Sequence, residues 1–484
     1  MPGMKITFLG AVGGHVTGSA HLVETSRARV LVDFGTFQGE PGDERLMNII
    51  PPQLQPQTLD AVVLTHAHLD HTGRLPLLVR AGFKGVIWAT PATIDLAGLL
   101  LRDACHIHLQ DLARAERKRQ GAGVIGAGVK RLPADAPRVA GAQWDERDVE
   151  AVLRMMKPAP YDKPYEVAPG VSVLMKEAGH MLGSTHFRMT LKDGGVTKNI
   201  SFSGDLGPPH VPILRDPEPF FGEEDDLVLL ESTYGDRDHR GFEATVDEFK
   251  DVLQTTVKTR GRVLIPAFAV GRSQLLVFLI NEMIKAGDIP EIPVYLDSPM
   301  AIEATKIYCH HPELHDDGSA RLGGVCAIGQ VKWLKPCPTA EDSKRINDAK
   351  GPMVVLAGAG MCTAGRILHH LRHGLGRPET HVVIAGFQAA GGVGRQLVDG
   401  KKLVRVLGDE IAVRAQIHTL GGFSAHAGRS GLLAWMAAAG KMAKKPRLAL
   451  VHGEDKPRQA LAFGLNEKYG IHAHLPQMNE VIEL

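Results

Sequence analysis

Six apolar runs in this chain share one feature: each has the composition of a buried β-strand and ends abruptly at an acid or a histidine. The terminal residues of these runs are Asp33, His66, His180, Asp205, Glu231 and His452. One polar residue at the end of a strand carries no information, because polar residues commonly terminate strands. Six of them predict strand ends that converge on one rim, where loops present the polar side chains and the sheets hold the loops.

The segment from 235 to 415 has a different pattern, in which short apolar runs lead into a Gly, Ser or Thr turn and mostly continue as amphipathic helices. Examples are GRVLIPAFAVGRSQLLVFLINEMIKAG and GPMVVLAGAGMCTAGRILHHLRHGL. Strands that alternate with helices predict a parallel sheet covered on both faces. Because His452 follows this segment but repeats the pattern of the earlier strand ends, we predict a domain inserted into the first one.

Composition narrows the class of protein. The 484 residues include 55 Lys and Arg against 54 Asp and Glu, a net charge of +1, so binding of a polyanion must rest on local patches. The five cysteines are widely spaced and form no C-x-x-C pair, which argues against a disulfide framework or a thiolate zinc site and favours a reducing compartment. The N-terminal apolar stretch is too short for a signal peptide, and no run is long enough to span a membrane. We expect a cytoplasmic protein without a membrane partner.

The densest coordinating segment is LTHAHLDH, residues 64–71. His66 and His68, at i and i+2 in a loop, can reach one ion, whereas Asp70 and His71 can turn toward a neighbouring ion. Nitrogen and oxygen donors without a thiolate suit zinc at a catalytic site, where one position stays open for water. Two ions about 3.5 to 4 Å apart would activate a water and stabilise attacking and leaving oxygens together, which predicts hydrolysis at neutral pH. A crowded surface loop is the alternative interpretation.

THAHLDH resembles the H-x-H-x-D-H motif of the metallo-β-lactamase superfamily. Further matches resemble its β-CASP branch, the RNA- and DNA-processing nucleases that include the polyadenylation endonuclease and bacterial ribonucleases. They are FLGAVGGHVTGSAHLV, HMLGST, SGDLG, ESTYGDRDHR, IPAFAVGRSQ, YLDSPMA, FSAH and LVHGE, and they cover nearly the whole chain. The resemblance implies an α/β protein, a metallo-β-lactamase αββα sandwich with an inserted parallel-sheet α/β (β-CASP) domain.

The same resemblance implies two zinc ions per chain. The ligands of the first ion would be His66, His68, His180 and Asp205. The ligands of the second would be Asp70, His71, Asp205 and His452, so that Asp205 bridges both ions.

The resemblance also assigns catalytic roles to Asp70, Glu231 and His426. Glu231 would orient the imidazole of His426, which would protonate the leaving oxygen as the general acid. Asp33 would fix a ligating histidine from behind. One departure is Gly428, because family members often have Asp shortly after the SAH histidine.

Substrate phosphate contacts are expected at five positions: His239, Gly392, Gly394, Arg395 and Ser424. The segment GFQAAGGVGR, 386–395, lacks the G-x-G-x-x-G spacing and is either a nest of N–H groups that holds a phosphate or a plain turn. Basic residues cluster at 111–131 and 441–447, and each cluster is either a solvated face or an RNA-binding patch.

We therefore predict a metallo-β-lactamase-like domain formed by 1–233 and 416–484, with a β-CASP domain, 234–415, inserted between these parts and substrate in the cleft between the domains. The predicted function is zinc-dependent hydrolysis of single-stranded RNA through a metal-bound hydroxide, by endonuclease or 5′-to-3′ exonuclease action. The alternatives are a small-molecule metallohydrolase of the thioester or lactam type, a DNA-directed nuclease, and a scaffold that only binds RNA. Single-stranded RNA is the expected partner, and a homodimer stays open.

Overall fold

The computed structural model describes residues 3–38, 47–119, 144–219, 224–316, 326, 331–386, 388 and 391–484, with the side chains of 114–119 outside the description. The chain divides into two compact units. Unit 1 comprises Met1–Gly207, Pro217–Arg237 and His426–Leu484, and unit 2 comprises Pro208–Asp216 and Asp238–Ala425. The domain boundaries after residues 233 and 415 stay a prediction.

Unit 1 contains two seven-stranded sheets. The first has the order Val481–Glu483, Lys5–Gly10, Ala20–Glu24, Arg29–Val32, Ala61–Val63, Val86–Ala89, Met156–Pro158. The second has the order Ala473–His474, Arg447–Val451, Leu227–Glu231, Val196–Phe202, Thr185–Asp193, Val171–Glu177, Tyr165–Ala168. Each sheet combines antiparallel hairpins with a parallel half, and the parallel strands of one half end at the same edge.

The two sheets of unit 1 pack face to face with helices outside. Side chains such as Val63 and Leu229 meet in the core between the sheets. Because successive strand residues point to opposite faces, Val228 and Leu230 instead pack against the helices that follow His426. The helices of this unit are Leu69–Thr72, Leu75–Arg80, Pro91–Arg119, Glu146–Met155, Arg429–Trp435, Ala437–Gly440 and Asp455–Tyr469. This is the αββα sandwich that the resemblance to the metallo-β-lactamase superfamily implies.

Unit 2 is built on a six-stranded sheet in which every neighbouring pair is parallel. Its order is Leu334–Pro336, Val294–Asp297, Met353–Ala357, Arg262–Pro266, Thr380–Ile384, Gln416–Thr419. The helices are Phe242–Thr259, Arg272–Lys285, Pro299–His310, Ala340–Asp348, Arg366–Gly374 and Val393–Val398, and a ribbon pairs Leu403–Val406 with Asp409–Ala412. The central strands are buried along their whole length, as expected for a parallel sheet with covered faces.

Short 3-10 turns occur at Pro56–Thr58, Pro312–Leu314 and Gly421–Phe423. Cys309 and Cys326 form a disulfide, which the sequence argument against a disulfide framework did not anticipate, while the other three cysteines are free and buried. Most of the basic cluster at 111–131 lies outside the described residues. No described helix is both long and apolar enough to cross a membrane.

Candidate metal centre

Strand ends in unit 1 bring the coordinating residues together. His66 follows the strand Ala61–Val63, Asp205 follows Val196–Phe202, and His452 comes directly after Arg447–Val451. The turn before Asp205 requires glycine, because Gly204 has a φ of +54° and an added Cβ would lie 2.8 Å from the carbonyl oxygen of Thr185. The polar side chains that follow these strands therefore lie together at one edge of the sandwich.

One group consists of His66, His68, His180 and Asp205, and three of these residues are buried. The Nδ1 atom of His68 lies 3.1 Å from the Nε2 atoms of both His66 and His180. Oδ2 of Asp205 lies 3.5 Å from Nε2 of His66 and 3.6 Å from Nε2 of His180. Three imidazole nitrogens and one carboxylate oxygen therefore face a common point.

A second group consists of Asp70, His71 and His452. Nε2 of His452 lies 3.2 Å from Nε2 of His71 and 3.5 Å from Oδ2 of Asp70. The other oxygen of Asp205, Oδ1, lies 3.5 Å from His71 and 3.6 Å from His452. Asp205 therefore presents one oxygen to each group, as expected of a bridging carboxylate.

The donor distances fit metal ions. Zinc–nitrogen and zinc–oxygen bonds of about 2.0 to 2.1 Å place neighbouring donors of a tetrahedron about 3.3 to 3.4 Å apart. The separations in the first group span 3.1 to 3.6 Å, and those in the second span 3.2 to 3.6 Å. Oδ1 of Asp205 is buried and has no hydrogen-bond partner among the described residues, an arrangement that costs free energy unless a cation satisfies it.

Residues behind the donors fix their orientation. Asp33 accepts hydrogen bonds from the amide and the hydroxyl of Thr65, both at 2.8 Å, and its Oδ2 lies 2.7 Å from Nδ1 of His71. That contact occupies Nδ1 and leaves Nε2 of His71 to face Asp205. The pKa of His66 is well below its ordinary value, mainly because the side chain is buried and also because other imidazoles lie close to it. His66 is therefore neutral at pH 7, the form that coordinates a metal.

A carboxylate–imidazole pair adjoins these groups. Oε1 of the buried Glu231 lies 3.3 Å from Nδ1 of His426 and accepts a hydrogen bond of 2.7 Å from the amide of Leu206. Nε2 of His426 is 4.0 Å from Oδ2 of Asp205, and the His426 side chain is 22% exposed. Burial lowers the pKa of His426, but the carboxylates of Glu231, Asp205 and Asp70 together outweigh it and raise the pKa to about 9. The pair can hold a proton beside the candidate metal ligands.

Comparisons with known proteins identify the family of the chain. Family models match as the metallo-beta-lactamase superfamily over residues 13–241, the Beta-Casp domain over 273–397 and the Zn-dependent metallo-hydrolase RNA specificity domain over 410–476. Ribonuclease TTHA0252 of Thermus thermophilus is 38% identical over 95% of both chains. The chain belongs to the β-CASP branch of the metallo-β-lactamase superfamily.

Other β-CASP relatives and one solved structure extend the comparison. Transcription termination factor FttA of Methanosarcina mazei is 30% identical over 99% of this chain and 72% of its own, and FttA of Pyrococcus horikoshii is 31% identical over 99% and 71%. A crystal structure of a protein of unknown function from Enterococcus faecalis matches with a TM-score of 0.54 and 14% identity over 100% of both chains. At that identity the likeness shows the fold alone.

Two residues that the β-CASP motifs did not single out contact candidate ligand histidines. The hydroxyl of Thr65 lies 3.0 Å from Nδ1 of His66, and the hydroxyl of Thr233 lies 3.1 Å from Nδ1 of His452. Thr65 directly precedes His66 in LTHAH, and Thr233 lies two residues after Glu231 in ESTYG. These positions inside the motifs could have identified both threonines from the sequence. Their hydroxyls occupy one nitrogen of each ring and leave the opposite nitrogen available for a metal ion.

The five residues predicted to contact substrate phosphate all lie in unit 2, whereas the metal groups lie in unit 1. Gly394 is buried, and a Cβ there would lie 1.7 Å from Oε1 of Gln388, so a side chain at this position would displace that of Gln388. The half-exposed Arg395 forms an ion pair of 2.9 Å with Asp399. Residues 387, 389 and 390 of the predicted nest lie outside the described residues.

The basic cluster 441–447 is partly engaged within unit 1. Lys445 donates a hydrogen bond to the carbonyl of Tyr469, and Arg447 donates one to that of Glu483. Those two side chains therefore have structural contacts of their own.

Proposed function

We propose that this chain is a zinc-dependent ribonuclease that hydrolyses phosphodiester bonds of single-stranded RNA. The observation that carries the proposal is Asp205, whose two oxygens face separate donor groups beside the Glu231–His426 pair. Ribonuclease TTHA0252, with 38% identity over 95% of the chain, supports RNA as the substrate. The match to a Zn-dependent metallo-hydrolase RNA specificity domain adds to this support. RNA as the substrate also favours the cytoplasmic location predicted from the sequence.

Two zinc ions per chain are part of the proposal. The first would be held by His66, His68, His180 and Asp205, and the second by Asp70, His71, Asp205 and His452. Bound there, zinc would supply Lewis acidity, which activates a water and offsets the negative charge of the phosphate.

The chain's own side chains would divide the proton transfers. Asp70, whose side chain is 20% exposed, would orient the attacking water in line with the scissile bond. His426 would donate its proton to the leaving oxygen, because Glu231 keeps its imidazole charged and aimed. Asp33 would take no part in the reaction and would hold His71 in position.

Substrate phosphates away from the scissile bond would contact unit 2. The proposed contacts are His239, Gly392, Gly394, Arg395 and Ser424, and Gly394 also packs on Gln388. Arg395 could exchange its exposed carboxylate partner for a phosphate at little cost, since ion pairs of half-exposed side chains are weak.

The test uses zinc-loaded protein and RNA labelled at either end, in linear and circular forms. We expect chelator-sensitive cleavage of the linear RNA. Cutting of the circle identifies an endonuclease, and dependence on a free 5′ end identifies an exonuclease. Cleavage of a thioester or of DNA in preference to RNA would refute the proposal, and substoichiometric zinc without cleavage would indicate a scaffold. Sedimentation of the same preparation tests the homodimer.

A further inference from the structure

At the carboxyl edge of the parallel sheet in unit 2, glycine-containing loops surround an exposed aromatic residue. In open parallel sheets, ligands bind outside the carboxyl ends of the strands. Three neighbouring strands end there in glycine-containing loops: Met353–Ala357, Arg262–Pro266 and Thr380–Ile384. The middle one continues into the segment 267–271, which includes Phe268.

Phe268 is an exposed aromatic residue on a fixed backbone. Its side chain is 43% exposed, although it follows a fully buried strand. The amide of Ala267 donates to the carbonyl of Ala357 at 3.0 Å, and the hydroxyl of Ser273 donates to the carbonyl of Phe268 at 2.7 Å. The residue is therefore held on both sides, and its exposure does not come from a loosely attached loop.

Glycines on the two neighbouring loops brace the ring. A Cβ added to Gly360 would lie 2.8 Å from Cδ2 of Phe268, and one added to Gly386 would lie 3.4 Å from Cε2. The side-chain amide of Gln388 donates to the carbonyls of Gly360 and Gly386, at 2.8 and 3.4 Å, and so ties these loops together. Both glycines lie against the Cδ2–Cε2 side of the ring, and the residue stays 43% exposed.

We propose that Phe268 is a stacking platform for one base of single-stranded RNA, an inference that rests on the proposed ribonuclease function. Single exposed apolar side chains are common and need no ligand. A ring that is braced by two glycines at the carboxyl edge of a parallel sheet is different, because its orientation is fixed before binding and little entropy is lost when a base stacks on it. Stacking accepts every base, so the platform provides affinity without sequence preference.

The test measures RNA affinity of the zinc-loaded protein by stopped-flow anisotropy, which records binding before cleavage. Phe268→Ala should weaken the affinity about 5- to 100-fold, the worth of one base–aromatic stack. Phe268→Leu should lose most of this factor, because it keeps apolar bulk without an aromatic face, and Phe268→Trp should retain the affinity. Phe463, which is 65% exposed on the helix Asp455–Tyr469 of unit 1, gives the matched control Phe463→Ala, for which no change is expected.

A series of RNAs with one abasic position identifies the contact. At a single position, the abasic change should weaken binding to the wild type but not to Phe268→Ala, because both changes remove the same stack. Equal affinity of wild type and Phe268→Ala within about twofold, or the same loss at every abasic position, would overturn the platform. If the wild type neither binds nor cuts RNA, the proposed function fails with it, whereas normal cleavage with an unaffected Phe268→Ala refutes the platform alone.

Discussion

Removal of the His426 imidazole should separate a general acid from a structural histidine. Oε1 of Glu231 and Nδ1 of His426 are 3.3 Å apart, a distance at which unit charges attract by about 5 kcal/mol at an effective dielectric constant of about 20. The rise of the His426 pKa to about 9, against the opposing effect of burial, corresponds to about 3 kcal/mol in favour of the protonated ring. In the metal-free protein the side chain therefore carries a proton at neutral pH.

His426→Ala should lower the cleavage rate about 10²- to 10⁴-fold, the usual contribution of a positioned acid, while zinc content and RNA affinity stay close to wild type. Glu231→Gln should lower the cleavage rate by a similar factor. The double mutant should be little worse than the worse single mutant, because the two residues act as one unit. His210→Ala is the control, since His210 also pairs with a carboxylate, Asp216 at 3.0 Å, but is 87% exposed.

The assay follows single-turnover cleavage of ordinary RNA and of an aryl phosphodiester whose leaving group needs no protonation. The aryl substrate should recover much of the rate lost in His426→Ala. If the zinc content is intact and no recovery occurs, His426 contacts phosphate and is not the acid. An unchanged rate on ordinary RNA would leave it with a structural role only.

Three further predictions concern the metal centre and acid stability. Asp205→Ala should empty or disorder both metal positions, whereas His452→Ala should loosen mainly the second, and elemental analysis distinguishes these outcomes. Thr233→Val should weaken binding of the second ion about 10- to 100-fold by freeing the ring of His452, as measured by competition with a chelator. Burial lowers the pKa of His186 to about 3 in the folded protein. Below about pH 6.5 the unfolded chain binds a proton at this residue and the folded chain does not, so the free energy of unfolding falls as the pH falls. His186→Gln should reduce the loss of unfolding free energy between pH 7.5 and 5.5 by about 1.4 kcal/mol in urea titrations of metal-free protein.

The strands and the parallel sheet were predictable from the apolar pattern of the sequence, whereas the αββα layering was implied by the resemblance to the metallo-β-lactamase superfamily. Apolar runs that end at a coordinating residue became the strands before His66, Asp205 and His452, and alternating strands and helices became the parallel sheet of unit 2. The strand Gln416–Thr419 could not be predicted in this way. It lies at the edge of the sheet and is partly exposed along its length, so its residues carry no apolar run that would assign it to one sheet or the other.

The types of side chain at the candidate metal centre were predictable, whereas the atoms that face one another there were not. His66 and His452 present Nε2, because a threonine hydroxyl occupies Nδ1 in each case, and His68 presents Nδ1 to its neighbours. Ion chemistry restricts the ligands to a few residue types, and the segment LTHAHLDH displays four such residues at short spacing. The resemblance assigned the distant ligands His180, Asp205 and His452. Many residue types can satisfy the second ring nitrogen, and threonine is common in every kind of loop. The choice of nitrogen therefore depends on contacts that only the folded chain creates.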